Sequence, residues 1–341
     1  MTKTNRWIGV CALCATFASG CLHRVDREED GGTQPPPTSS PTPTPQPGPA
    51  TAPPSSGKGS VGASALKPNV MLLVDRSGSM AEPSDCGEAT CPSKWTELLG
   101  LGPYLSEAKS LARLGLAMFP SPEDHGCSVR SAVRVPLSDA LDVDAQILAA
   151  AKAVKPGGST PVADALDAVG RNGGLDDPDR KNILLVLTDG KPNCACSGND
   201  PVCERGTAVA AVQRLRAAGV DVDIIGFGSS ARDAHDTLTA MARAAGDEAY
   251  YQADTLEDLI GTLYKVGIEN APCRFHLDGS PEPEALIVWK DGVAVPACSS
   301  SDCAKGYTYD PDSGIVELRG ESCAALRDGK AHDVWFDTKT P

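Results

Sequence analysis

The run Val70-Met71-Leu72-Leu73-Val74 is apolar at every position. A strand of this kind is covered on both faces. A parallel sheet between two layers of helices provides that cover, whereas a half-solvated antiparallel sheet would leave polar residues at alternate positions. Asn182 to Leu187 reads as a second buried strand. Helices and strands alternate around these two. Lys94 to Ala112 is helical material interrupted near Gly100–Pro103, Leu114 to Phe119 is a strand, and Ser131 to Val135 is a short edge strand. Val143 to Val154 is helical and ends before Pro156-Gly157-Gly158. Pro161 stands where a first helical position tolerates proline and opens a helix over Val162–Val169. Thr207–Ala218, Thr237–Ala245 and Leu256–Val266 read as helices, and Val220–Phe227 and Glu248–Gln252 as strands. This alternation predicts an α/β fold over residues 66–270: a doubly wound, mostly parallel sheet with helices on both faces.

Beyond Asn270 the pattern changes. Ala285–Trp289 and Val293–Val295 flank Lys290-Asp291-Gly292, which reads as a hairpin with a tight Asp-Gly turn. Tyr307–Tyr309 and Ile315–Leu318, joined through Asp310–Gly314, read as a second hairpin. Residues 271–341 are therefore expected to form a small, disulfide-bonded β extension.

The amino terminus reads as a targeting segment over residues 1–21. Lys3 and Arg6 precede an apolar stretch from Ile8 to Ala18, too short to span a bilayer as a mature helix. Ala18-Ser19-Gly20-Cys21 resembles the lipobox of bacterial lipoproteins, with Ala18 where Leu is usual. That resemblance implies lipidation of Cys21; ordinary signal cleavage nearby is the alternative. Residues 22–65 are rich in Pro, Thr, Ser and Gly and cannot bury enough apolar area to offset their ordering entropy. The Pro-rich part makes an extended tether with a reach on the order of 80–90 Å, at roughly 3 Å per residue. The expected location is the bacterial cell envelope, on the outer membrane, with the lipid anchor as the sole membrane contact.

Export decides how the remaining cysteines read. Cys86, Cys91, Cys127, Cys194, Cys196, Cys203, Cys273, Cys298, Cys303 and Cys323 are even in number and face an oxidising compartment, so disulfides are expected. Cys86–Cys91, Cys298–Cys303 and Cys273–Cys323 are the pairings suggested by proximity and context. Zinc at Cys194, Cys196 and Cys203 is disfavoured, because no second Cys or His pair stands at finger-like spacing. A net charge of −14 repels nucleic acid and anionic lipid, so neither is an expected partner.

In sheets of this class, ligands bind at the loops past the carboxyl ends of the strands. Asp75, Ser77 and Ser79 follow the first strand directly, at alternate positions that let one extended turn aim three oxygen-bearing side chains together. The loop Lys155–Pro161 and the segment Thr188-Asp189-Gly190 reach the same rim and bring Thr160 and Asp189. The stretches DRSGSM (75–80), GGSTP (157–161) and LVLTDG (185–190) resemble the von Willebrand factor type A family and its metal-ion-dependent adhesion site. The resemblance covers about residues 66–270 and implies an octahedral divalent cation. Ser77 and Ser79 would coordinate through hydroxyls, Thr160 directly or through water, and Asp75 and Asp189 directly or through bridging waters. The donors are all hard oxygens, which favours Mg²⁺, with Ca²⁺ or Mn²⁺ as alternatives. A cation held largely by neutral hydroxyls stays electron-poor and accepts a carboxylate from a partner.

The function expected from this reading is metal-dependent binding of a protein or surface ligand. A structural scaffold in an envelope assembly and, further off, a metal-dependent hydrolase using Asp75 and Asp189 are the alternatives. Nothing else marks an enzyme. No G-x-S-x-G elbow surrounds Ser77 or Ser79, Gly226-Phe227-Gly228 lacks the third glycine of a dinucleotide loop, and no Walker sequence is present. The insertion Ala81–Ser93 and the irregular loop Pro192–Cys203 are expected to rim the site.

Overall fold

The computed structural model describes residues 9–10, 23–24, 60–84, 90–123, 126–130, 132–300 and 302–339. Cys21 with its lipobox, most of the tether, and Cys86 lie outside the described residues. The two-residue strands Gly9–Val10 and His23–Arg24 pair antiparallel with His332–Asp333 and Tyr251–Gln252, and then come the short strands β1 (Ser60–Val61) and β2 (Ala63–Ala65). The α/β domain follows with β3 (Asn69–Asp75), α1 (Lys94–Leu98), α2 (Gly102–Ala108), β4 (Arg113–Phe119), β5 (Val133–Ser138), α3 (Val143–Lys152) and α4 (Val162–Asn172). It continues with β6 (Asn182–Thr188), α5 (Pro201–Ala217), β7 (Val220–Phe227), α6 (His235–Ala245), β8 (Tyr251–Ala253) and α7 (Leu256–Glu269).

The sheet runs in the order β8-β7-β6-β3-β4-β5, with its core parallel; β5 is antiparallel to β4 at one edge and His23–Arg24 is antiparallel to β8 at the other. The chain winds outward from β3 through β4 to β5, then returns to the other side of β3 with β6. The order therefore reverses between β3 and β6, and beyond the strand ends at such a reversal is where sheets of this class bind ligands.

The uninterrupted apolar runs have the expected cause. Met71 and Leu73 face one layer, with Leu166 and Val169 of α4, Val212 and Leu215 of α5 and Leu238 and Met241 of α6. Leu72 and Val74 face the other, with Trp95 and Leu98 of α1, Leu105 of α2, Ile147 of α3 and Leu259 and Leu263 of α7. Side chains in a strand alternate faces, so a strand buried on both sides needs apolar residues at every position. One boundary differs by a full turn and more: α5 begins at Pro201 rather than Thr207. Asp200 caps it, accepting from Val202 N at 2.9 Å, and Pro201 takes the first turn, where its missing N–H costs nothing. The irregular loop after β6 is shortened accordingly.

The carboxy-terminal region is a sandwich of two sheets. One contains β12 (Lys305–Asp310), β13 (Ile315–Gly320), β9 (Arg274–Leu277) and β2, in that order. The other contains β14 (His332–Thr338), β10 (Leu286–Lys290) and β11 (Val293–Val295), with β1 also on β14. Phe275, Leu277, Val288, Val316, Leu318 and Phe336 fill the space between them. Both expected hairpins form. Asp291 and Gly292 take positive φ angles of 50° and 80° in the two-residue turn between Lys290 and Val293, the mirror-image turn that matches strand twist. Strands β9 and β14 were not expected from the sequence.

The larger correction concerns the linker. Ser60–Ala65 belong to the span assigned to the tether, yet β2 pairs with β9 (Ala65 opposite Phe275) and β1 with β14 (Val61 opposite Phe336). The sandwich is built from both flanks of the α/β domain, which is inserted into it. The two connections run side by side, with Leu66 N donating to Arg274 O at 2.8 Å. Small residues next to a Pro/Ser-rich run carry no strand signature of their own. Their partners, more than 200 residues away in β9 and β14, supply the hydrogen bonds.

Cys273–Cys323 and Cys298–Cys303 pair within this region. Among the described residues, no helix is long and apolar enough to cross a membrane.

Candidate functional site: an oxygen-lined crevice at the sheet reversal

Strand β3 ends in Asp75, which is fully buried. The chain turns immediately, and Ser77 N donates to Asp75 Oδ1 at 2.7 Å. The turn leads into a short 3₁₀ segment, Gly78–Ala81, anchored by buried Met80. This geometry presents Ser77 and Ser79 side by side, their Oγ atoms 3.1 Å apart. Ser79 Oγ donates to Asp189 Oδ1 at 2.7 Å, and Thr188 Oγ1 donates to Asp75 Oδ2 at 2.6 Å. The ends of β3 and β6 are thus laced together across the sheet reversal.

The third loop is tied in by its backbone. Gly157 N donates to Arg76 O at 2.7 Å and Gly78 N to Gly158 O at 3.0 Å. Thr160 N donates to Asn193 Oδ1 at 2.8 Å, and Asn193 N returns to Thr160 O at 3.3 Å. Gly158 has φ +87°, and a Cβ there would meet Pro120 Cγ at 2.8 Å, so glycine is required for the loop to close on its neighbours. Thr160 is buried, and its hydroxyl has no hydrogen-bond partner among the described residues. The structure brings Asp75, Ser77, Ser79 and Asp189 into one hydrogen-bonded cluster and fixes Thr160 on the adjoining loop.

Several contributors were not read from the sequence. Arg76 is buried and turns away from the oxygen cluster, with Nε donating to Pro120 O at 2.8 Å and Nη1 to Lys155 O at 2.5 Å. It binds the loop after β4 to the loop before α4. Its charge, in the variable place of D-x-S-x-S, was the available signal. Thr188 and Asn193 hold Asp75 and Thr160 as described. Glu204, buried near the start of α5, accepts from Ala195 N at 3.1 Å and Cys196 N at 2.8 Å and so shapes the loop after β6. Lys94 is buried and lies 2.6 Å from Asp189 Oδ2 as an ion pair without hydrogen-bond alignment.

The rim is covalently reinforced. Cys127, in the loop after β4, joins Cys194, in the loop after β6, and Cys196 joins Cys203. Cys91 is also disulfide-bonded; the expected pairing with Cys86 lies outside the described residues. With Cys194, Cys196 and Cys203 oxidised, no thiolate is available for zinc. Among the described residues no cluster of three or more His, Cys, Asp or Glu is placed to hold a metal.

What the crevice does offer is hydroxyl and carboxylate oxygen. Burial first, and the nearby Asp189 second, push the Asp75 carboxyl up to about 7, against the hydrogen bonds from Thr188 and Ser77. With both acids ionised and Lys94 protonated, the cluster carries one net negative charge. The donor set fits a small hard cation: two cis ligands of an octahedron with bonds of 2.0–2.1 Å stand about 2.9 Å apart, close to the 3.1 Å between the serine hydroxyls.

Residues 69–265 match the von Willebrand factor type A domain family. The chain is 34% identical over 107 residues to the uncharacterized protein YwmD of Bacillus subtilis (strain 168), covering 31% of this chain and 42% of that protein. The pilus adhesin SpaC of Lactobacillus rhamnosus GG is similar in structure, with a TM-score of 0.47 at 12% identity over 80% of this chain and 39% of that one. The manganese-loaded Plasmodium vivax TRAP protein gives a TM-score of 0.44 at 17% identity, over 76% of this chain and 96% of that one. The chain thus spans less than half the length of YwmD and of SpaC.

Proposed function

From the premise that the chain belongs to the von Willebrand factor type A domain family, we propose that Asp75, Ser77, Ser79, Thr160 and Asp189 hold a divalent cation. Mg²⁺ is the first choice, and Ca²⁺ and Mn²⁺ are the alternatives. The protein binds, through that site, a protein or surface ligand that presents a carboxylate. The observation that carries this reading is the Ser79–Asp189 hydrogen bond of 2.7 Å between loops 110 residues apart, with the Ser77 hydroxyl 3.1 Å from Ser79. The cluster buries no apolar area, its hydrogen bonds only offset the desolvation of its own polar groups, and its donors are the hard oxygens a small divalent cation takes.

When bound, the cation would supply a Lewis-acidic position for a partner's carboxylate oxygen. The chain's own groups do the rest. Thr188 and the Ser77 amide fix the orientation of Asp75, and Ser79 fixes that of Asp189. Asn193 and Arg76 lock the three loops against one another, so little ordering entropy is lost on binding. The net charge of −14 opposes long-range approach by an acidic partner. Recognition is therefore short-ranged and local to the crevice.

The lipidated Cys21 and the Pro-rich tether place this head on the cell envelope. Metabolic labelling with a fatty-acid analogue tests the anchor: the wild type takes up label and Cys21→Ala does not.

Titration calorimetry with MgCl₂ tests the site. Heat is expected for the wild type and a large loss of it for Ser79→Ala. Capture of envelope proteins with and without chelator then tests the binding role: a partner lost in chelator and by Thr160→Ala supports it. A partner retained in both would make the protein a scaffold.

A further inference from the structure

Lys94 is the first residue of α1, the end of a helix where the dipole disfavours a cation. Its side chain is nevertheless 3% exposed, and its ammonium lies 2.6 Å from Asp189 Oδ2. The ammonium donates to Ser230 Oγ at 2.7 Å, and Ser230 Oγ donates to the carbonyl of Asp189 at 2.9 Å. The lysine stem lies against Gly228, whose φ is +76° and where an added Cβ would meet Lys94 Cδ at 2.8 Å. Gly228, Ser230 and Asp189 form a socket of the lysine's shape and polarity.

The insertion after β3 delivers the lysine to this socket. Its base is pinched by a bridge between Pro83 and Ser93, by Ser84 N donating to Pro92 O at 2.9 Å and by Lys94 N donating to Glu82 O at 3.0 Å. Ser93 then caps α1, accepting from Thr96 N at 3.1 Å. A buried ammonium is tolerated only where a partner offsets its desolvation. Here the buried partner is Asp189, whose other oxygen receives Ser79; Glu82, 3.8 Å away, is solvent-exposed and so screened.

We propose that Lys94 is a tethered counter-cation: it neutralises Asp189 and so sets how tightly the crevice takes a free divalent ion. The proposal rests on the metal reading above and deepens it. Both oxygens of Asp189 are engaged, one by a hydroxyl and one by a full positive charge. With both acids ionised, the crevice carries a net charge of −1 with Lys94 and −2 without it. Repulsion between a fixed ammonium and a divalent ion a few ångströms away is strong in a buried, weakly screened place. Lys94 is a positioning and tuning residue, not a ligand. It keeps affinity for the bare ion low, so that a partner's carboxylate, by adding the negative charge the lysine cancels, contributes to retaining the ion.

The test compares MgCl₂ titrations of the wild type, Lys94→Met, Lys94→Gln and Lys94→Arg, each also melted in EDTA and in saturating MgCl₂. Both neutral variants are expected to bind Mg²⁺ at least about tenfold more tightly than the wild type, and the Arg variant to stay within about threefold of it. A merely structural lysine would alter melting without this charge-dependent order. Neutral variants within threefold of the wild type, or weaker, overturn the inference and leave the metal reading standing. Binding by the neutral variants alone upholds the inference and removes the metal reading from the native chain. Binding by none sinks both. Should neither neutral variant fold in EDTA, recovery of a cooperative melt on adding MgCl₂ supports the proposal, and failure to recover overturns it.

Discussion

Thr188 Oγ1 donates to Asp75 Oδ2 at 2.6 Å, joining residues 113 apart. Both sit at the ends of adjacent parallel strands, in register through Val74 opposite Leu187. The bond ties together the two halves of the sheet where its winding reverses, and it holds a buried carboxylate in one orientation. Thr188→Val keeps the shape and removes the donor. The cost expected is about 1–3 kcal/mol of unfolding free energy, because Asp75 is left with one oxygen unsatisfied. Urea unfolding measures it, and Thr188→Ser should retain most of the stability. A valine variant as stable as the wild type would show that the bond holds nothing.

Asp223 gives the protein a stability that depends on pH. It lies on the α7 side of β7, and its carboxyl accepts no hydrogen bond from the described residues. Burial first, then Asp247, push it from 3.8 up to about 7, while Lys181 pulls the other way. An acid whose pKa rises on folding binds more protons folded than unfolded between the two values. Stability therefore falls as pH rises from about 4 to about 7 and levels off above that. Asp223→Asn stays neutral throughout. It should match the wild type near pH 4 and exceed it at pH 8, by up to about 4 kcal/mol. Parallel thermal melts at the two pH values decide this; equal differences at both would sink the assignment.

These two residues also mark how far sequence alone reached. The buried strands were legible in Val70–Val74 and Asn182–Leu187 because burial on both faces leaves no polar position. The three loops were legible because their oxygen-bearing residues stand directly after predicted strand ends or before a predicted helix. Lys94 was not, since a lone lysine behind a Ser cap reads as solvated, and only the fold reveals that Ser230 and Asp189 meet it. Nor was β2, whose Ala-Ser-Ala depends wholly on β9 for its structure. The start of α5 was readable in hindsight: Asp200-Pro201 carries both a cap and a first-turn proline.

The Cys127–Cys194 bridge ties the loop after β4 to the loop after β6, across 67 residues of sequence. Cross-linking so long a loop restricts the unfolded chain, with typical gains of about 2–4 kcal/mol. Replacing both cysteines by serine should lower stability by that amount. It should also weaken Mg²⁺ binding modestly, since Cys194 adjoins Asn193, the partner of Thr160. Calorimetry and melting on the same double variant separate the two effects. A loss of stability without any change in Mg²⁺ affinity would confine the bridge to a structural role.

The inserted architecture predicts where the chain is safely shortened. Starting at residue 60 keeps β1 and β2 and gives up only the two-residue pairing of Gly9–Val10 on β14, so the sandwich should still fold. Starting at residue 66 strips β9 of its neighbour, exposing the backbone of Arg274–Leu277 as a bare edge. It also removes Val61 from β14 opposite Phe336. An uncovered edge invites pairing between copies, so the shorter chain should lose cooperative melting of the sandwich and associate. The α/β domain, with its own two core layers, should keep its transition. Trp289 and Trp335, stacked on adjacent strands with ring centroids 6.0 Å apart, report on the sandwich by near-ultraviolet circular dichroism. Identical melts of that signal in the two chains would mean that β1 and β2 add nothing. A signal lost only in the chain starting at 66 would mean that the tether ends before residue 60 and that the sandwich closes through strands from both flanks of the inserted domain.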